Sequence, residues 1–196
     1  MDGSQGFARQ DCATYINRLV AVLSAADTAA MDRGVQLVEQ TWRAGGQIIT
    51  LGNGGSAMTA LHFITDWNKS IFMSSGRSFH GRSLVDNMGL ASAYANDCSY
   101  QDVFVEQLRN IAQRGDLVVA ISGSGDSENV IRAVDHANRI GCETLGLCGY
   151  SGGRLKQIAR HVIWVGVDDM QLCEDVHALF GHMVMQALCA HGRTAP

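Results

Sequence analysis

Proline is almost missing from this chain: of 196 residues only Pro196 is a proline. With so little to break helices or stiffen linkers, a proline-rich or loop-built architecture is excluded. The six cysteines, Cys12, Cys98, Cys142, Cys148, Cys173 and Cys189, contain no CxxC pair. Free thiols are therefore expected, not a disulfide framework or a thiolate metal site. No apolar run is long enough to span a bilayer, so no membrane association is expected. Residues 1–10 lack both the basic and the apolar region of a signal peptide, and the expected location is the cytoplasm. Basic charge is also short: a formal net charge of -4 argues against a nucleic-acid surface. What the chain does have is 22 glycines and a hydrophobic content of 46% against 17% charged residues. At this length that composition suits one domain with a substantial core and many glycine turns.

The hydropathy pattern supplies the order of elements. Tyr15, Leu19, Val22 and Leu23 recur at helical spacing, as do Met31, Val35, Val38 and Trp42, so residues 1–45 read as a helical segment of two helices. Asp27 and Thr28 offer caps between them, and Gly45-Gly46 ends the second. A short β-branched run at 47–51 reads as a buried strand, followed by a glycine turn and a helix over 57–68. Residues 67–80 read as a polar loop around Ser74-Ser75-Gly76. Beyond it come a short strand at Ser83-Leu84-Val85, a helix over 88–95 and an amphipathic helix over 102–112. The strongest strand, 116–121, leads through a serine-rich turn into a helix over 130–140. Strands at 143–148 and 161–165, a short helix at 154–159 and a long helix over 170–191 complete the chain. Alternating βα units predict a parallel sheet sandwiched by helices.

Two turns carry chemistry. The first, Gly52-Asn53-Gly54-Gly55-Ser56, joins a strand to a helix start, where free backbone N–H groups meet an anion. Ser56 is a candidate N-cap and hydroxyl donor. One turn further, His62 and Asp66 stand at i and i+4 on one helix face, as a metal or acid–base pair would. The second turn, residues 122–129, repeats the same logic with the hydroxyls of Ser122, Ser124 and Ser127. A plain βα turn with a surface Asp competes as an account of the first, and helix capping by Ser127 as an account of the second. Ligands of such sheets bind at the carboxyl ends of the strands, where both turns lie. His177 reads first as a core histidine or a partner of site residues. His80, His136, His161 and His191 have no constellation around them, and Lys69 and Arg77 read as solvated loop charges.

The order of Gly52-Asn53-Gly54-Gly55-Ser56, His62-Phe63, Ala95-Asn96-Asp97, Ile121–Ser127, and Glu174-Asp175-Val176-His177 with His182 resembles sugar isomerase (SIS) domain proteins. Within them the chain is similar to the phosphoheptose isomerases, which act on sedoheptulose 7-phosphate. The resemblance spans nearly the whole chain and implies one SIS domain over 1–196, with 1–45 as an oligomerisation segment. It implies a flavodoxin-like three-layer α/β sandwich with a five-stranded parallel sheet, assembled as a homotetramer with active sites between subunits. Ser122, Gly123, Ser124 and Ser127 would hold the phosphate, and Asn53, Gly54, Gly55 and Ser56 the sugar backbone. Asn96 and Asp97 would take its hydroxyls, with Glu174 also at the substrate. His62, Asp66, Glu174 and His182 would bind zinc, with Asp66 and His182 catalytic. The chain departs from the family in having Asp66 for Glu, Glu174 for Gln and Gly123 for a hydroxyl residue, and in one extra residue near Asp86-Asn87-Met88. The same frame also serves replication-initiator-associated SIS proteins, which are non-catalytic binding modules, and SIS enzymes of other reactions.

Overall fold

Strands whose residues are apolar on both sides can persist only where helices cover both faces. The computed structural model, which describes residues 11–192, has that arrangement. Residues 1–10, read above for a leader, Pro196 and the His191 side chain lie outside the described residues. Helices α1 (Cys12–Ser24) and α2 (Thr28–Ala44) precede β1 (Ile48–Gly52), α3 (Gly55–Asp66), a π-helical turn (Trp67–Ile71) and α4 (Phe72–Ser75). Then come β2 (Gly81–Ser83), α5 (Met88–Asp97), a 3-10 turn (Tyr100–Asp102), α6 (Val105–Ile111) and β3 (Leu117–Ser122). The chain continues through α7 (Glu128–Ile140), β4 (Glu143–Gly149), α8 (Gly153–Ile158), β5 (His161–Val165) and α9 (Met170–Gly192). The five strands are all parallel, in the order β2-β1-β3-β4-β5. This is the five-stranded α/β sandwich that the motifs imply.

Every residue of β1 and β3 is buried. Alternate side chains of β3 serve opposite layers. Leu117, Val119 and Ile121 pack with Val38, Trp42, Phe63 and Phe180, while Val118 and Ala120 pack with Leu108, Val130 and Val134. The buried Asp116 carboxylate holds the starts of both central strands by accepting from the backbone N–H of Gln47 (2.9 Å) and of Gln113 (2.9 Å). α1 has no fully buried residue; it docks by packing Leu19, Val22 and Leu23 against the core and by polar contacts, Tyr15 donating to Asp175 (2.7 Å) and Arg18 pairing with Asp169 (2.5 Å). The Asp175 carboxylate pushes the Tyr15 hydroxyl up to about 12. Among the described residues no helix is long and apolar enough to cross a membrane.

Four local expectations are corrected. Residues 67–75 are helical instead of looped, because Trp67 and Ile71 are fully buried. Trp67 stacks on Phe63 with ring centroids 4.8 Å apart and donates its indole N–H to the Gly181 carbonyl (2.9 Å). The extra residue of the π turn falls directly after Asp66, as such bulges commonly do beside working side chains. Ser56 is not an N-cap: Gly54 takes that position and Ser56 is buried in the first helical turn. β2 sits two residues earlier than expected, at Gly81–Ser83, because its register with β1 runs Ile48 to Gly81 and Thr50 to Ser83. The helix expected over 102–112 starts only at Val105, after the 3-10 turn.

Trp67 gives the first test of this packing. Trp67→Ala should lower the unfolding free energy by about 3–5 kcal/mol. Trp67→Phe, which loses the bond to Gly181 but keeps an aromatic ring, should lower it by about 1–2 kcal/mol. Urea denaturation of the two variants measures both, and equal losses would contradict a separate role for the indole N–H.

Candidate active site

Because Gly52 of β1 lies opposite Ile121 of β3, the two turns leave the sheet side by side. Gly54 turns the first of them with φ +54, a conformation that costs a glycine little. In the second, Ser122 Oγ accepts from Gly125 N (3.2 Å) and lies 3.4 Å from Ser127 Oγ. Ser124 Oγ accepts from Asp126 N (3.3 Å). Ser127 occupies the N-cap position of α7, yet its hydroxyl makes no capping bond. Ser127 thus leaves the amides at the very start of α7 uncapped, as an anion site requires, while the next one, Val130 N–H, donates to Asn129 Oδ1 (3.0 Å).

The serine turn is braced from outside. Asp126 Oδ1 accepts from Arg154 N (3.0 Å), and Arg154 also reaches Glu128 (2.9 Å). Bonds from Arg132 and Arg154 hold the Glu128 carboxyl below its usual range. The two turns line one cleft of about 620 Å³, together with Tyr150, Ser151, Met170 and Glu174. Tyr150 and Ser151 form a third wall, after β4, that the sequence reading passed over. Tyr150 has φ +50, rare for a non-glycine residue, and is held there by Trp164 Nε1 donating to its carbonyl (2.9 Å).

The departures noted in the sequence acquire neighbours. A side chain at Gly123 would collide with the Met170 thioether, so the place of the family's hydroxyl is taken by methionine. A Cβ on Gly55 would land on the Glu174 carboxylate, 2.8 Å from Cδ. Glu174 is thereby admitted to the first turn of α3, where no side-chain cap is made.

Asn53 lines the cleft, but its side chain is engaged with Asn129 (2.9 and 3.0 Å) and accepts from the Tyr100 hydroxyl (2.8 Å). Neither Asn129 nor Tyr100 was singled out from the sequence. Asn96 and Asp97 stand apart from the cleft-lining residues. They bond to each other (2.8 Å) at the exposed end of α5.

A second cluster lies where α3 crosses α9. His62 Nε2 is 3.2 Å from Asp66 Oδ2, and His182 Nε2 is 4.0 Å from the same oxygen. The two imidazole rings meet edge to face with centroids 5.1 Å apart. Gly181 makes the crossing close. A Cβ there would strike the Phe63 ring, so any larger residue would push the helix bearing His182 away from the one bearing His62.

The three donor groups can be taken within 4.8 Å of one another, slightly wider than the roughly 4.4 Å that a cation about 2.2 Å from each can span, so a small side-chain rotation would close them on one ion. Two imidazoles and a carboxylate are a donor set suited to zinc, so the residues present fit that ion. Although one methylene shorter than Glu, Asp66 reaches both histidines. Glu174 is not in this group. It lies eight residues before His182 on the same helix, a rise of about 12 Å.

A family model described as SIS domain matches residues 13–149. A probable phosphoheptose isomerase of Thermoplasma acidophilum is 39% identical over 141 residues, which cover 72% of this chain and 77% of the relative. A phosphoheptose isomerase of Aliarcobacter butzleri is 32% identical over 158 residues, covering 81% and 83%. The solved structure of phosphoheptose isomerase from Neisseria gonorrhoeae superposes with a TM-score of 0.82 at 25% identity, covering 91% of this chain and 96% of that one.

His177 is the core histidine of the sequence reading. It is fully buried, and neither ring nitrogen attains hydrogen-bond geometry with a described residue. Burial pushes its pKa down to about 4, opposed weakly by the Cys148 backbone beside it. Below the ordinary value of 6.5 the unfolded chain takes up a proton that the buried ring refuses. Stability contributed by the neutral ring is therefore complete above pH 6.5 and is lost as the pH falls towards 4. Between pH 7.5 and 4.5 the native protein should lose on the order of 2–3 kcal/mol more than a His177→Leu variant. Urea unfolding at both pH values checks this, and parallel pH profiles for the two proteins would refute it.

Proposed function

The chain belongs to the SIS-domain family, and on that premise we propose that it is an isomerase interconverting the ketose and aldose forms of a heptose phosphate. The substrate pair is sedoheptulose 7-phosphate and D-glycero-D-manno-heptose 7-phosphate or a close relative. The observation that carries the reading is the convergence of two uncapped strand–turn–helix units on one cleft, at the end of the same helix pair that brings His62, Asp66 and His182 together. The names of the similar proteins point the same way.

In this reading the amides at the start of α7 and the hydroxyls of Ser122, Ser124 and Ser127 bind the phosphate without a buried counter-ion. The backbone at Gly123 lies along the same turn. Asn53, Gly54, Gly55 and Ser56 border the sugar, while Asn96 and Asp97, which stand apart from this cleft and bond to each other, could take its hydroxyls only from a neighbouring copy. Asp66 lies about 15 Å along α3 from Ser56, so the sugar it serves is held by the turns of a neighbouring copy; Asp66 takes the proton from the carbon beside that sugar's carbonyl and returns it to the neighbouring carbon. His182 moves the balancing proton between the two oxygens, so the sugar gains and loses no atoms. Asp66 has an oxygen for each duty, since Oδ2 faces the histidines. Zinc held by His62, Asp66 and His182 would supply Lewis-acid stabilisation of the enediolate oxygens.

The 12 Å rise between Glu174 and His182 means that a fourth ligand from Glu174 would come from a neighbouring copy. This fits a homotetramer with its sites between subunits. Ile16 and Val20 stand 57% and 54% exposed on α1, which suits residues 1–45 as the assembling segment of a single SIS domain. The six cysteines are all free, as in a protein that works in the reducing cytoplasm.

Purified protein should convert sedoheptulose 7-phosphate, carry stoichiometric zinc, and lose at least tenfold in rate when a chelator strips the metal. Asp66→Asn should lower kcat by roughly 10²–10⁴ with an unchanged circular dichroism spectrum. Metal-loaded protein that turns over no heptulose phosphate would overturn the isomerase reading. Tight phosphosugar binding without turnover would instead make it a binding module on the same frame.

A further inference from the structure

Three elements meet at one buried amide. Asn129, in the first turn of α7, is 2% exposed. Its side chain pairs reciprocally with that of Asn53: Asn53 Nδ2 donates to Asn129 Oδ1 (2.9 Å) and Asn129 Nδ2 donates to Asn53 Oδ1 (3.0 Å). The Tyr100 hydroxyl donates to the same Asn53 oxygen (2.8 Å). Tyr100 is itself fixed, because Asp102 of its 3-10 turn is bound by Ser99 (2.6 Å) and by Arg132 of α7 (2.8 Å). An amide oxygen has two lone pairs, and here both are used within the protein.

We infer that Asn129, seconded by Tyr100, is a positioning residue that latches the first turn to the start of α7, so that the phosphate-binding and sugar-binding turns act as one rigid grip. The functional part of this inference rests on the phosphosugar reading above.

Asn53 Oδ1 is spent on the latch, so the first turn can address a sugar only through its remaining side-chain N–H and its backbone. Those backbone groups are useful only if the turn stays still. Gly54 and Gly55 give it no stiffness of their own. The latch supplies what the glycines lack, at the level where the turn leaves the sheet. A reciprocal amide pair with one partner buried is costly to leave half made on that side. Removing either partner therefore frees the turn and also leaves the other amide unsatisfied. Asn129 is absent from the cleft lining; it acts through Asn53 and through the Val130 amide, which donates to its Oδ1 (3.0 Å).

The test compares Asn129→Ala, Asn53→Ala, the double variant and Tyr100→Phe. Hydrogen exchange reports the latch without reference to any ligand. Exchange at Gly54 to Met58 should quicken about tenfold in Asn129→Ala and less in Tyr100→Phe, with no matching change in the distant strand β5. The KM for sedoheptulose 7-phosphate should rise about tenfold in Asn129→Ala, while inhibition by inorganic phosphate changes by less than twofold. In loop exchange the double variant should be no faster than Asn129→Ala alone.

Unchanged loop exchange, or a double variant whose exchange effects multiply, would overturn the latch. A loss of inorganic phosphate binding equal to the loss of sugar phosphate binding would overturn the link between the turns. Should the wild-type protein bind no sugar phosphate, the functional reading fails and the exchange data alone decide whether the latch exists. Tyr100→Phe, at a 59% exposed residue, keeps the test open if Asn129→Ala does not fold.

Discussion

The parallel pairing of β1 with β3, from Ile48 opposite Leu117 to Gly52 opposite Ile121, sets the height at which both cleft-lining turns leave the sheet. A slip of one residue would invert every side chain between the two layers, exchanging Leu117, Val119 and Ile121 with Val118 and Ala120. The two layers of helices make that slip prohibitive, and the Asp116 carboxylate fixes the register at its origin by holding the amides of Gln47 and Gln113. The cleft is therefore a product of the core, and the turns inherit their proximity from strands that never touch a ligand.

From that edge two helices run to the His/Asp cluster. α3 starts at the first turn and α9 starts under the second, with Met170 against Gly123. Their crossing is closed by Phe63 over Gly181 and locked by the Trp67 indole. Cleft and cluster are thus two ends of one helix pair. A disturbance of the crossing at Gly181 would be felt at both His62 and His182, while the serine turn, braced by Arg154, would be spared.

Much of this was legible in the sequence. The β-branched runs marked the central strands, the glycine and serine turns marked the cleft, and the spacing of His62 and Asp66 marked one helix face. Those signals are local. The features that escaped are tertiary. Asn53 and Asn129 are 76 residues apart, and neither is unusual where it stands. Trp67 and Ile71 look like the edge of a polar loop until Phe63 and Phe79 close over them. Tyr150 and Ser151 follow a strand whose end was read only as an end. The shortfall of Asp66 relative to Glu was visible in the sequence, but its reach to both histidines depends on how closely α3 and α9 cross.

The Met170 thioether occupies the space that a side chain at position 123 would need, and this constrains the order in which the cleft can change. A hydroxyl residue introduced at 123 meets a filled volume, whereas shortening Met170 first leaves only a gap beside a flexible wall. The two positions are therefore coupled: the path through a smaller residue at 170 is open, and the path through 123 first requires the Met170 side chain to swing aside. The order matters: shortening position 170 before enlarging position 123 avoids the overlap, and the reverse order meets it.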